Sequence, residues 1–154
     1  MLMVVFTANK RFSVRATANR EVVNSDLFID FVKSTGEKWR KLRSNAIKLK
    51  DLHWQMDNAK PHKSAATTQF FNDRGITLLW QSPYSPDFNL CDRFLFTTLK
   101  SELRKQSFES HLEVEQAALQ CLRNLPEELL HQEIQKLYDH CQDVIDAGGD
   151  YVTN

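Results

Sequence analysis

No apolar run in the 154 residues is long enough to cross a membrane. Met1 to Phe6, the longest near the start, is also too short for a signal-peptide core. Cysteine is scarce: Cys91, Cys121 and Cys141 are odd in number and widely spaced, which favours reduced thiols in an intracellular setting. Zinc binding by Cys121, His140 and Cys141 lacks the usual ligand spacing. There is no internal repeat, no low-complexity segment and no net charge. What remains is an ordinary globular composition, 42% hydrophobic and 26% charged, at a length that suits one domain over residues 1–154.

The zero net charge hides an asymmetry. Residues 1–50 carry eleven Lys/Arg against four Asp/Glu, and residues 51–154 carry nine against sixteen. Much of the positive charge lies in Lys38, Arg40, Lys41, Arg43, Lys48 and Lys50. A single-sign stretch of this kind attracts a phosphate backbone, and Lys38, Arg40, Lys41 and Arg43 are the candidate contacts. A solvated helix face followed by a loop accounts for the same charges.

The pattern along the chain predicts an α/β domain with a mixed sheet. Leu2 to Ala8 and Phe12 to Ala18 read as an antiparallel hairpin around Asn9-Lys10-Arg11. Asn24-Ser25 offers an N-cap to a helix continuing toward Leu42, with Leu27, Phe28, Phe31 and Val32 at helical spacing. Leu52, Trp54 and Met56 alternate with His53, Gln55 and Asp57, as in a strand whose last residue is Asp57. A helix from about Lys63 to Asp73 stops at Gly75, and Ile76 to Trp80 reads as a short buried strand. Ser82 to Leu90 is a loop, and Arg93 to Lys105 returns to helical periodicity. Ser110 and Glu113 form a capping box for a helix reaching Leu122. Pro126 starts a last helix with Leu130, Ile134, Leu137, Cys141, Val144 and Ile145 on its apolar face, stopped by Gly148-Gly149.

Two aspartates carry the candidate chemistry. Asp57 falls at the carboxyl end of a strand, where open α/β sheets place their sites, and Asp92 at the first turn of a helix. Such carboxylates suit Mg²⁺ or Mn²⁺, leaving coordination positions for water and phosphate oxygens. In a two-metal site one ion activates water or a 3′-hydroxyl and the other stabilises the leaving oxygen. Taken singly, each aspartate is more readily a turn former or a helix N-terminal acid than a metal ligand. Asp87, between Pro86 and Phe88, reads as a turn former. His62 orients a neighbour, touches the metal shell, or makes a structural hydrogen bond.

The joint pattern goes further. Asp57-Asn58-Ala59-Lys60-Pro61-His62, Trp80, Pro83-Tyr84-Ser85-Pro86-Asp87, and Asp92 with Phe94-Leu95-Phe96 and Leu99-Lys100 closely resemble the catalytic domain of mariner-type transposases. The resemblance is strongest over about residues 52–108, and Gly149-Asp150-Tyr151 looks like the family's ending. It maps the family's second and third catalytic aspartates, 34 residues apart, onto Asp57 and Asp92, with Asn58 and His62 in support. It implies a ribonuclease H-like mixed sheet flanked by helices, with further helices at the C-terminus. It also implies Mg²⁺- or Mn²⁺-dependent cleavage and transfer of DNA strands at transposon ends, in the nucleus, by a protein that can act as a homodimer.

Three departures matter. Phe88-Asn89-Leu90-Cys91 stands where the family usually has Leu-Ala-Pro-Ser, and Lys60 replaces a common Arg, losing the planar fork. Family members also carry their first catalytic aspartate on a central strand ahead of the hairpin, after paired helix-turn-helix domains. Nothing in residues 1–50 matches either feature, and Asp26, Asp30 and Glu37 fall on a predicted helix. The expectation is therefore a catalytic domain incomplete at its N-terminus, lacking its first central strand and impaired in activity. The alternative is a non-catalytic remnant that binds DNA or a protein partner.

Overall fold

The computed structural model describes residues 1–42 and 47–152, which divide into two compact units. One comprises Met1 and Thr17–Tyr84, the other Leu2–Ala16 and Ser85–Asn154.

The first unit opens with helix α1, Ser25–Arg40. Asn24 caps it, its side chain accepting the Leu27 N–H at 2.9 Å and so satisfying one of the amides a helix start leaves unbonded. Phe28, Phe31, Val32, Thr35 and Trp39 recur at helical spacing and are buried. A 3-10 turn, Leu49–Asp51, leads into strand β3, His53–Met56, which pairs in parallel with β4, Thr77–Trp80, in the register His53–Thr77 to Met56–Trp80. Between them lie a short helix α2, Lys60–Lys63, and α3, Ala65–Asp73. Helix α3 is the one expected from about Lys63 to Asp73, and α2 is an additional turn ahead of it, set off because Ser64 is extended (ψ 151°) and caps α3 by accepting the Thr67 N–H at 3.1 Å. Trp54, Phe70, Phe71 and Ile76 complete the core of this unit, with Trp54 edge-on to Phe71.

Strand β4 corrects the expectation of a buried strand. Ile76 is buried just ahead of it, but Leu79 and Trp80 are 49% and 55% exposed. The physical reason is its place in the sheet. Among the described residues β4 has β3 as its one strand neighbour, so it forms an edge.

The second unit is built on the hairpin β1, Leu2–Phe6, and β2, Phe12–Ala16, antiparallel from Leu2–Ala16 to Phe6–Phe12. A 3-10 turn, Pro86–Phe88, precedes a π-helical turn, Cys91–Leu95, that runs into α4, Phe96–Leu103. Helices α5, His111–Arg123, and α6, Glu127–Asp146, follow. Ser110 accepts the Glu113 N–H while the Glu113 carboxylate accepts the Glu109 N–H, a variant of the predicted capping box. Phe12 and Val14 pack with Leu90, Leu95, Leu99, Ala118, Leu122, Leu125 and Leu130. The hairpin is tied to α5 at both ends. Glu115 accepts the Ala16 N–H at 2.9 Å, and Lys10 Nζ donates to the carbonyls of Arg123 and Leu125, where a helix end leaves acceptors unbonded.

Helix α6 closes on Gly148 and Gly149, both at positive φ, with Gly148 N–H bonded to Ile145 O and Gly149 N–H to Val144 O. That is the Schellman pattern, which glycine adopts without a Cβ penalty. Its buried face ends sooner than expected: Ile145 is 68% exposed, whereas His140 is buried. No described helix is long and apolar enough to cross a membrane.

Candidate functional site

Asp57 follows the last residue of β3, as its strand-end pattern predicts. Its Oδ1 accepts the Ala59 N–H at 3.0 Å, a local Asx turn, and meets His62 Nδ1 at 2.6 Å. His62 stands on α2, where Pro61 takes an early position that needs no amide hydrogen. Its ring lies against Phe28 of α1, centroids 4.3 Å apart, and Thr67 Oγ1 donates to Pro61 O at 2.6 Å, holding α2 in place. The imidazole is thereby fixed on the carboxylate.

The His62 hydrogen bond holds the Asp57 carboxyl below its ordinary value, assisted by the Ala59 amide and by the His62 charge, against a smaller upward push from burial. Asp57 is therefore an anion at neutral pH. Its side chain is 45% exposed, and both hydrogen bonds fall on Oδ1, so Oδ2 has no hydrogen bond among the described residues. An ionised oxygen left open to solvent suits a hard cation. Asn58 serves a different end. Its amide donates to Gln81 O at 3.0 Å and Ser82 O at 3.4 Å, tying the chain after β3 to the chain after β4.

Asp92 belongs to the second unit and is exposed in the π-helical turn, the first turn of the helical run that α4 continues. Its N–H bonds to Asn89 O at 3.0 Å, and Asn89 Oδ1 accepts the Cys91 N–H at 3.0 Å. A π turn locally widens the helix, an irregularity frequent at functional sites.

The loop before Asp92 has an anchor that sequence reasoning missed. Asp87 Oδ2 lies 2.7 Å from Nε2 of His140, whose side chain is only 4% exposed, and the His140 ring packs on Phe88 at 5.3 Å. Arg93 Nη1 donates to Asp87 O at 3.1 Å. Asp87 is thus more than a turn former. The one hint in the sequence was His140 falling three residues after Leu137 on the apolar face of α6. Burial raises the thiol pKa values of Cys121 and Cys141, and among the described residues no three His, Cys, Asp or Glu side chains are grouped to hold a metal.

Lys38 and Arg40 are exposed in the last turn of α1, Lys41 caps it, and Arg43 lies outside the described residues.

Residues 1–115 match the family described as DDE superfamily endonuclease. The chain belongs to that family. Its structure resembles the crystal structure of the catalytic domain of the Mos1 mariner transposase, with TM-score 0.79 and 19% identity over 99% of this chain and 76% of that one. The Mos1 transposase paired-end complex with left transposon end gives TM-score 0.81 at 19% identity, covering 99% of this chain and 44% of that one. The Mos1 structures include the catalytic domain and Raltegravir with Mg, and with Mn. A human relative, histone-lysine N-methyltransferase SETMAR, is 24% identical over 131 residues, 85% of this chain. The chain spans 19% of that protein's length. The mixed α/β architecture with C-terminal helices is accordingly the fold of that Mos1 catalytic domain.

Proposed function

We propose that residues 1–154 form one mariner-type transposase catalytic domain in which Asp57 and Asp92 are two of the three carboxylates that family chemistry requires. The observation that carries this reading is the state of Asp57: an ionised carboxylate at a strand end, held by its own His62 on one oxygen and open on the other. Family membership and the Mos1 complex with a transposon end support DNA as the substrate, and the nucleus as the place of action belongs to the same reading. The Mos1 structures with Mg and Mn support a hard divalent cation. Bound by these carboxylates, that cation would activate water or a 3′-hydroxyl and stabilise the leaving oxygen.

The remaining work falls to this chain's own side chains. Asp57 offers Oδ2, and His62 keeps Oδ1 from rotating away. Asn58 fixes the backbone on either side of the strand end, and Asp87 with Arg93 fixes the loop before Asp92. Lys38, Arg40, Lys41 and Arg43 supply positive charge for the DNA backbone. On this reading residues 1–154 supply two of the three carboxylates, and two by themselves would bind metal weakly and cleave poorly. Assembly as a homodimer belongs to the same reading. The second reading is a DNA- or protein-binding remnant without catalysis.

Mn²⁺ titration followed by paramagnetic broadening of backbone amides separates these readings. Broadening around both Asp57 and Asp92, lost in Asp57→Asn, is the expected result, with no measurable nicking of DNA carrying the terminal repeats of its own element. Broadening at only one aspartate, or at neither, would overturn the shared site. Nicking abolished by Asp57→Ala would refute the impairment.

A further inference from the structure

The first unit holds a concave basic site of about 430 Å³ lined by Lys33, Arg40, Lys48, Lys50 and Arg74, with Glu37 as its acidic member. Three segments supply these side chains: α1, the 3-10 turn after it, and the residue capping α3. Two contacts hold the walls. Leu49 sits on Gly36, where a Cβ would lie 2.6 Å from Leu49 Cδ1 and 2.9 Å from Cγ, so the missing side chain lets the turn settle onto α1 with Lys48 and Lys50. On the other side the buried Phe70 ring has Arg74 Cζ at 4.0 Å and Lys33 Nζ at 5.7 Å from its centroid. Cations stacked on a ring face are held and partly oriented.

None of the five cations has an ion-pair partner among the described residues. Arg40 and Arg74 complement the negative ends of α1 and α3, which accounts for those two alone. Lys33, Lys48 and Lys50 stand at no helix C-terminus of comparable length, and like charges around one concavity repel unless an anion joins them. Gly36 and Phe70 nonetheless assemble them.

We propose that this pocket binds phosphate groups, from a nucleic-acid backbone or from a free polyphosphate. The proposal goes beyond the metal chemistry of Asp57 and Asp92 and needs neither residue. Of the basic stretch visible in the sequence it takes Arg40, Lys48 and Lys50, leaves out Lys38 and Lys41, and adds Lys33 and Arg74.

The test uses the whole 154-residue chain in EDTA, so that failure of the metal reading leaves it untouched. The probes are inorganic tripolyphosphate and a random-sequence duplex of roughly 20 base pairs, long enough for several phosphate contacts. The variants are Lys48→Ala/Lys50→Ala/Arg74→Ala, all at exposed positions, and Arg104→Ala/Lys105→Ala, exposed cations outside the pocket, as the comparison. The triple variant should weaken tripolyphosphate binding at least about tenfold, given the strength of charge-assisted hydrogen bonds. It should also flatten the salt dependence of duplex binding by about 2–3 in slope, at roughly 0.9 per phosphate contact. The comparison variant should leave both near the parent value. A response in the duplex arm assigns the pocket to a nucleic-acid backbone, and one confined to tripolyphosphate assigns it to a free polyphosphate. No response in either arm, or equal losses in the comparison variant, overturns the proposal. If the triple variant loses its far-UV CD signal, Lys48→Gln/Lys50→Gln is read by the same criteria.

Discussion

Replacing Gly36 by Ala sets two effects of known size against each other. Gly36 lies inside α1, where alanine is favoured over glycine by about 1 kcal/mol. The new Cβ, however, would stand 2.6 Å from Leu49 Cδ1 and 2.9 Å from Cγ, about 1 Å inside the optimal carbon–carbon separation of roughly 3.5–4.0 Å. Relief requires Leu49 to move and to take its 3-10 turn along, and overpacking of this kind costs about 1–3 kcal/mol. The steric cost exceeds the propensity gain, leaving a net loss of about 0–2 kcal/mol. In a chain of this size about 1 kcal/mol shifts Tm by roughly 2–4 °C. With Leu49→Ala in the background the clash disappears, and Gly36→Ala should raise Tm by about that amount instead. A thermal double-mutant cycle measures the reversal. Additive behaviour, with Gly36→Ala stabilising the parent chain as much as the Leu49→Ala chain, would refute the contact and the wall of the basic pocket built on it.

His62→Ala should raise the Asp57 pKa toward the ordinary carboxylate value, followed by carbon NMR of the carboxyl group during an acid titration. The depressed folded-state pKa contributes stability that is present above the unfolded value of about 3.9 and is lost as pH falls through the folded value. The variant should therefore lose part of the acid-side slope in stability, and an unchanged Asp57 titration would refute His62 as its cause. Asp87→Ala leaves the His140 ring buried without its carboxylate and should cost about 2–3 kcal/mol in urea unfolding. A cost below about 0.5 kcal/mol, the range of an ordinary surface change, would show that the loop before Asp92 is held by Arg93 and Asn89 instead.

Sequence-readable features and tertiary contacts divide sharply in this chain. Asn24 capping Leu27, Ser110 capping Glu113, Gly148-Gly149 ending α6 and Asp57 following a strand are all legible in the order of residues alone. Each depends on backbone groups within a few residues, so residue type and spacing state the geometry directly. The paired motifs around Asp57 and Asp92 also point to the DDE endonuclease family, because a set of residue types at set intervals carries more information than either aspartate alone. Other features need the folded chain. Asp87 meets His140 across 53 residues, Phe28 backs His62, and Arg74 joins Lys33 over Phe70. The exposure of Leu79 and Trp80 is hidden too, since an apolar strand reads the same at an edge as in the middle of a sheet. Periodicity reports which face of an element is apolar, but only packing decides what that face meets. The tertiary structure alone therefore decided which oxygen of Asp57 is held, what anchors the loop before Asp92, and where five dispersed cations line one pocket.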